Sequence, residues 1–402
     1  MERVTDGVRG QILLGEDARF RARSALIVGA AALLAGAAIT LAAGAGWSRF
    51  LHGYLVAAAF CLSLALGALF FVILHHLTGA RWSVAVRRLA EHLTGNLPWL
   101  ALVFVPLLAG LPLLYEWSHA DAVAQDEILQ HKQPYLNVPF FLLRTVIYFA
   151  VWIALARYFF RRSADQDRTG DPELTIRMRR LSPVAMILLG LTLTFFAFDY
   201  LMSLDPHWYS TIFGVYYFAG SAVGFFAALA VVAHLLRRAG YLTHVVTSEH
   251  FHDIGKFVFA FVVFWAYIAF SQYLLIWYGN LPEETGYFLR RQRGGWGVLS
   301  LLLLCGHFIV PFLVLLSRVP KRRGTALALT AAWVLFMHWW DLYWLVMPQV
   351  MPEWHGFPVV ELLSLTGLVG LLSGATILRM RRIALVAGRD PFLSESVVYE
   401  NL

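Results

Sequence analysis

Apolar residues in this chain come in long unbroken runs. They do not show the alternation of a half-buried strand or the three-and-four spacing of a surface helix. A bilayer core takes roughly 20 apolar residues per helix. Ten runs reach that length, at about 25–45, 51–74, 98–116, 138–160, 183–203, 211–236, 254–278, 295–317, 325–347 and 358–378, with ends good to about 2–4 residues. The pattern predicts an all-α polytopic membrane protein of ten transmembrane helices. A polar N-terminal segment 1–24 precedes the membrane domain 25–378, and a short tail 379–402 follows it.

The seventh run carries the most information. It starts beside Lys256 and places Ser271, Gln272 and Tyr273 in its second half. It then breaks at Gly279–Asn280 and Pro282 into the acidic pair Glu283 and Glu284. An apolar helix with such a polar stripe predicts inward-facing chemistry rather than a plain anchor. A weak repeat supports a bundle. Asp199 in the fifth run and Asp341 in the ninth are each followed seven residues later by a proline, Pro206 and Pro348, in aromatic surroundings. The third and seventh runs end alike, LPLLYEW and QYLLIWYGN. Runs 2–5 and 6–9 then read as two related four-helix bundles in one orientation, flanked by the first and tenth.

Composition agrees with the pattern. Of 402 residues, 59% are hydrophobic and only 14% charged, against about 25% charged in soluble domains. Mean hydropathy is +0.65. No segment between runs exceeds about 25 residues, which leaves no soluble domain for a nucleotide or a haem. The two cysteines, Cys61 and Cys305, both lie inside apolar runs, and there is no CxxCH. That argues against covalent haem c or an iron–sulfur cluster on this chain. Haem b would need histidines at equal depth on facing helices, and the spacing usual for such pairs is missing. The first 24 residues are polar and Arg-rich, so no cleavable signal peptide is expected.

The net charge of +7 could suggest nucleic acid or anionic lipid, but its distribution points elsewhere. Of the 32 Lys and Arg, 24 fall on the side that carries the termini and 5 on the other. The positive-inside rule then places both termini in the cytoplasm and reads the basic patches as topology signals, with no nucleic-acid partner. The opposite loops are short and acidic, and Tyr115, Trp117, Trp277, Tyr278, Trp340, Tyr343 and Trp344 form an interfacial belt there.

Ionisable residues inside the hydrocarbon cost roughly 2.5–3.5 kcal/mol each on insertion scales, so each is a functional candidate. They are Glu116, Arg144, Asp199, Lys256, His307, His338, Asp341 and Glu361. Asp199 reads either as a proton-carrying carboxyl or as the salt-bridge partner of Arg144, and the two readings can coexist. His338 and Asp341, three apart, share a helix face and can pass protons. The same Asp could merely orient the His. Glu361 in the next run is expected beside that pair. His307 stands alone in an apolar run near Gly306 and Pro311, where a packed hydrogen-bonding histidine competes with a relay role. Glu116 could be interfacial and hydrated. Lys256 could snorkel to the cytoplasmic surface or admit protons there.

Three strings add a resemblance: FAFDYLMSLDPHWYSTIFGVYYFAGS from about 196, SEHFHDIGKFVFAFVVFWAYIAFSQYLLIWYGNLPEET at 248–285, and WWDLYWLVMP at 339–348. Together they resemble the second large membrane subunit of bacterial alternative complex III, the ActF type of quinol:cytochrome c oxidoreductase subunit, within the NrfD/polysulfide-reductase-type membrane subunits. The resemblance spans about residues 50–380. It implies a ten-helix fold with two four-helix bundles in the bacterial inner membrane. It also implies a complex that oxidises menaquinol or ubiquinol and passes electrons, through haem c and iron–sulfur partner subunits, to a cytochrome c or a terminal oxidase. A homologous NrfD-like subunit would be a further partner. This subunit would hold no metal or redox centre and would contribute a proton route, with quinone as a candidate ligand at unknown residues. The positions matching a proton route are Asp199, His307, His338, Asp341 and, at the cytoplasmic side, Lys256. Two other classes stay open. One is a structural scaffold whose buried charges are only interhelical salt bridges. The other is a secondary transporter with repeated bundles, disfavoured because the repeats read as parallel and no helix is clearly broken at mid-membrane.

Overall fold

The computed structural model describes residues 12–44, 46–354 and 356–401. Arg3 and Arg9, counted above among the cytoplasmic charges, lie outside them. Every regular element among the described residues is helical. The long helices are α1 (Asp17–Ala42), α2 (Gly46–Thr78), α3 (Val84–Ala109), α4 (Val138–Thr169), α5 (Glu173–Tyr200), α6 (Phe213–Arg238) and α7 (Ser248–Gly279). A shorter α8 (Pro282–Gln292) leads to α9 (Gly294–Leu316), α10 (Gly324–Val346) and α11 (Val359–Met380). Nine of the described helices are long and apolar enough to cross a membrane: all of these except α8 and α10. Helix α10 has 23 residues. His338, Asp341 and a cluster of Trp and Tyr pull its hydropathy below that of the others.

Helix α2 is the axis of the molecule. In its most apolar stretch 89% of positions are buried by protein, and 72% in α6, against 22–44% in the other spans. The faces left bare on those others are apolar, as lipid contact requires: Leu143, Val146 and Ile147 on α4, or Tyr267, Phe270 and Leu275 on α7. Helix α2 packs against α3, α5, α6, α10 and α11; α6 packs against α7 and α10 as well; α1 lies along α11. Close approach comes from glycine. A Cβ on Gly67 would sit 2.3 Å from the Ser221 carbonyl oxygen of α6, and one on Gly29 2.7 Å from the Gly367 oxygen of α11. Small residues let helix backbones touch where no hydrophobic effect drives them together. Gly67→Ala should therefore push α2 off α6 and lower stability by about 1–3 kcal/mol, the usual penalty of overpacking. A melting temperature equal to the wild type in detergent would show that the interface yields without loss.

Helix α3 departs from the sequence reading in two ways. It begins at Val84, some 14 residues before the apolar run at 98. Its far half is also not one helix but short segments, Leu97–Val103 and Val105–Ala109, followed beyond its end by Leu111–Leu114, each with a proline in its first turn. Proline has no N–H to give to the preceding turn, so Pro98, Pro106 and Pro112 each restart the helix. The run expected at 98–116 is therefore not one continuous helix. Likewise α1 begins at Asp17, inside the segment 1–24 that was expected to precede the membrane domain.

The early part of α3 holds something the sequence did not show. Arg87 and Arg88, counted among the charges on the side of the termini, are buried. Arg88 reaches Glu91 and Asp167 at 2.7 Å each and the Ser163 carbonyl at 2.9 Å. Arg87 pairs with Asp390 of the C-terminal tail. That tail folds back across this end: Ser396 donates to the Trp82 carbonyl at 2.6 Å, and Leu385 N–H donates to the Ile12 carbonyl at 2.9 Å. Arginine, with five donors, suits a buried multi-carboxylate junction of this kind.

Candidate functional site

The buried ionisable residues divide into two kinds by what faces them. Asp199 is the first kind. It is fully buried on α5, and Arg144 of α4 grips both its oxygens, Nε to Oδ2 at 2.7 Å and Nη2 to Oδ1 at 3.0 Å. The Tyr148 hydroxyl donates to Oδ2 at 2.6 Å. The guanidinium also lies 3.9 Å over the Tyr135 ring and donates to the Tyr135 carbonyl. A bidentate pair held this way is among the strongest polar contacts a protein makes. Of the two readings open for Asp199, the structure shows the salt bridge.

Asp341 is the second kind. It is buried in α10, and among the described residues no cation meets it. Its carboxyl accepts from the Tyr216 hydroxyl of α6 and from Trp265 Nε1 of α7 at 3.1 Å. One turn back, His338 is completely buried. Its Nε2 lies 2.8 Å from Ser63 Oγ of α2, and that hydroxyl donates to the Phe60 carbonyl at 2.7 Å. A hydroxyl has one proton to give. It follows that Ser63 accepts from His338 Nε2–H, and Nδ1 carries the free lone pair, with no hydrogen-bond partner. That nitrogen points toward Gly220. A Cβ on Gly220 would lie 3.2 Å from Nδ1 and 4.0 Å from Asp341 Oδ2. Only a glycine at this position leaves the histidine and the carboxyl with no side chain between them.

His307 completes the cluster. Its ring stacks on Trp265, centroids 4.1 Å apart and planes 8° from parallel, and it stands 6.4 Å from the His338 ring. Neither of its nitrogens makes a well-formed hydrogen bond; the Met337 backbone offers only a loose contact. The local fold explains its position. Residues 304–309 form a π turn within α9. Pro311 cannot donate to the His307 carbonyl four residues back, and the neighbouring Gly306 carbonyl accepts instead from Trp333 Nε1 at 2.7 Å. With one bond impossible and the next taken by a side chain, the ladder widens by a residue. Pro311→Ala should restore a regular α turn, rotate the upstream half of α9 and take His307 off Trp265. The readout is a shift in tryptophan emission, since Trp265 loses its stacked partner; an unchanged spectrum would mean that the Trp333 bond alone holds the bulge.

The other predicted positions lie apart. Glu361 of α11 is buried, but it pairs with Arg49 of α2 at 3.4 Å and packs against Gly53; the expectation that it sits beside His338 and Asp341 is corrected. Its Oε2 has no partner. Lys256 is half exposed, pairs with Asp253 one turn away and donates to Asn401 of the tail at 2.8 Å. Glu116 is exposed in a short 3₁₀ turn, Glu116–Ser118, beyond the last segment of α3. Among the described residues no group of three or more His, Cys, Asp or Glu is placed to hold a metal ion.

Sequence reasoning missed Ser63, Tyr216, Trp265 and Gly220. The first three are ordinary residues for apolar helices and carry no signal. Gly220 does carry one, since with Gly224 it forms a GxxxG pair. A Cβ on Gly224 would also meet His338, at 2.7 Å. Searches against the models of known protein families and against characterised proteins found no match to this chain.

Proposed function

We propose that this chain is a ten-helix membrane subunit of a quinol-oxidising electron-transfer complex of the alternative complex III type. It carries protons through its second bundle and holds no redox centre of its own. In this reading α10 also crosses the membrane, as the ninth of ten spans, α2–α5 and α6, α7, α9 and α10 are the two four-helix bundles, and both termini lie in the cytoplasm. Haem c, iron–sulfur and homologous NrfD-like subunits bring the redox chemistry. The observation that carries the proton role is Asp341: a buried carboxyl held by two hydrogen-bond donors and no cation, one helical turn from a histidine with a free ring nitrogen. Such a carboxyl can hold or release a proton without breaking an ion pair. His338 and Ser63 extend the line into α2, and His307 flanks it through Trp265. The sequence strings quoted above support the choice of complex, and replacement of Asp341 tests the relay.

The first bundle favours the scaffold reading for its own charges. Arg144 and Asp199 saturate each other, so that pair is assigned to holding α4 on α5 rather than to conduction.

A further inference from the structure

A cavity of about 490 Å³ opens between α7, α8, α9 and α10, at the end away from the termini. Its walls are mostly apolar, from Ala266, Ala269, Phe270, Leu301, Leu304 and Phe308. Two polar residues on those walls are unusual. Gln272 is 5% exposed, and its side-chain oxygen has no partner. Arg291 of α8 is fully buried, and no carboxylate among the described residues lies within ion-pair reach of it. Its Nε and Nη2 donate to the Trp344 and Leu345 carbonyls at 3.2 and 2.8 Å, and Nη1 to its own Tyr287 carbonyl at 3.0 Å. Three of its five N–H groups are thus used and two remain.

Each of these features is unfavourable if the cavity stays empty. A buried guanidinium without an anion retains its desolvation penalty, and a buried amide oxygen without a donor lacks a bond that water would have supplied. Both would be answered by one molecule. We infer that this cavity binds a membrane-dissolved amphiphile whose head presents an oxygen acceptor to Arg291 and a hydroxyl to Gln272, with its apolar tail leaving along Phe270 and Leu301 toward lipid. Phe270 and Leu301 are 60% and 61% exposed, which gives the tail an open side. The head would lie near Tyr216 and Trp265, which both line the cavity and both bond Asp341. The site stands on the cavity alone and holds whether or not Asp341 conducts protons.

The head chemistry fits two sources, a long-chain carboxylic acid in its protonated form, whose O–H meets Gln272 and whose carbonyl meets Arg291, and a hydroquinone with an alkyl tail, and the test separates them. The full chain is purified in detergent, stripped of lipid, and offered oleate or decyl hydroquinone in turn, with bound mass read by native mass spectrometry. The expected result is one equivalent of at least one of the two on the wild type. Gln272→Leu, which keeps the volume and removes the unpaired oxygen, should weaken that binding about tenfold while the chain stays folded. Ala269→Phe, which fills the cavity and leaves Arg291 and Gln272 in place, should abolish it. Retention of oleate alone assigns a lipid site and retention of the hydroquinone a redox-lipid site. Binding that neither variant alters, or no binding of either probe by folded wild type, overturns the proposal.

Discussion

If the chain works in the proposed quinol-oxidising complex, Asp341→Asn should abolish most proton movement through that complex and leave its assembly unchanged. Asparagine has the same shape. Its amide oxygen can still accept from Tyr216, and one donor, the Trp265 indole, is left facing an amide N–H; that mismatch costs about 1–3 kcal/mol, which a bundle of this size tolerates. What asparagine cannot do is take up and give back a proton. A positioned proton-transfer group is worth on the order of 10²–10⁴ in rate, so proton release coupled to quinol oxidation should fall by about that factor. The measurement is acidification or alkalinisation in vesicles holding the reconstituted complex, normalised to assembled protein. His338→Phe should act in the same direction, since it removes the nitrogen that faces Asp341 across Gly220. Wild-type proton release in the Asp341 variant would eliminate this carboxyl as a relay and leave the membrane architecture untouched.

Arg144→Leu should be among the most damaging single replacements in the chain. It strands the Asp199 carboxylate in the protein interior with tyrosine hydroxyls but no cation to pair it, and breaking one side of a buried pair costs about 3–5 kcal/mol. Replacing both, Arg144→Leu with Asp199→Leu, removes the stranded charge with its partner and should recover most of that loss. Buried ion pairs are often no better than apolar residues of similar volume. Unfolding in detergent across the single and double variants gives the coupling between them. A double variant that is stable and still active assigns the pair to architecture. One that is stable but has lost proton release would reopen Asp199 as a conductor and contradict the division drawn between Asp199 and Asp341.

Those two carboxyls show how far the sequence reaches. In sequence they look alike: each sits near the end of an aromatic-rich helix, seven residues before a proline. In the folded chain one is locked by arginine and the other is met by tyrosine and tryptophan. The difference lies in what neighbouring helices present at the same depth, and no local pattern encodes it. Glu361 makes the same point from the other side. Consecutive runs suggested a meeting with Asp341, yet α11 packs on α1 and α2, and Glu361 meets Arg49 and Gly53 of α2, ten residues along that helix from the Ser63 that holds His338.

The sequence by itself determined the membrane-type helical class of the chain, the place of nearly every apolar run, and the short list of charges that burial would make meaningful. These follow from composition over 20-residue windows, because lipid tolerates neither unpaired backbone nor solvated charge. Tertiary structure alone decided the rest. It set which charges neutralise each other, that prolines break the third span, that a π turn delivers His307 onto Trp265, and that Arg87 and Arg88 are buried, Arg87 against Asp390 of the C-terminal tail and Arg88 against Glu91 and Asp167. The physical reason is range. Burial preference is a property of each segment, while a hydrogen bond or an ion pair exists only when two helices, set side by side by glycine contacts far along the chain, bring two particular atoms within about 3 Å.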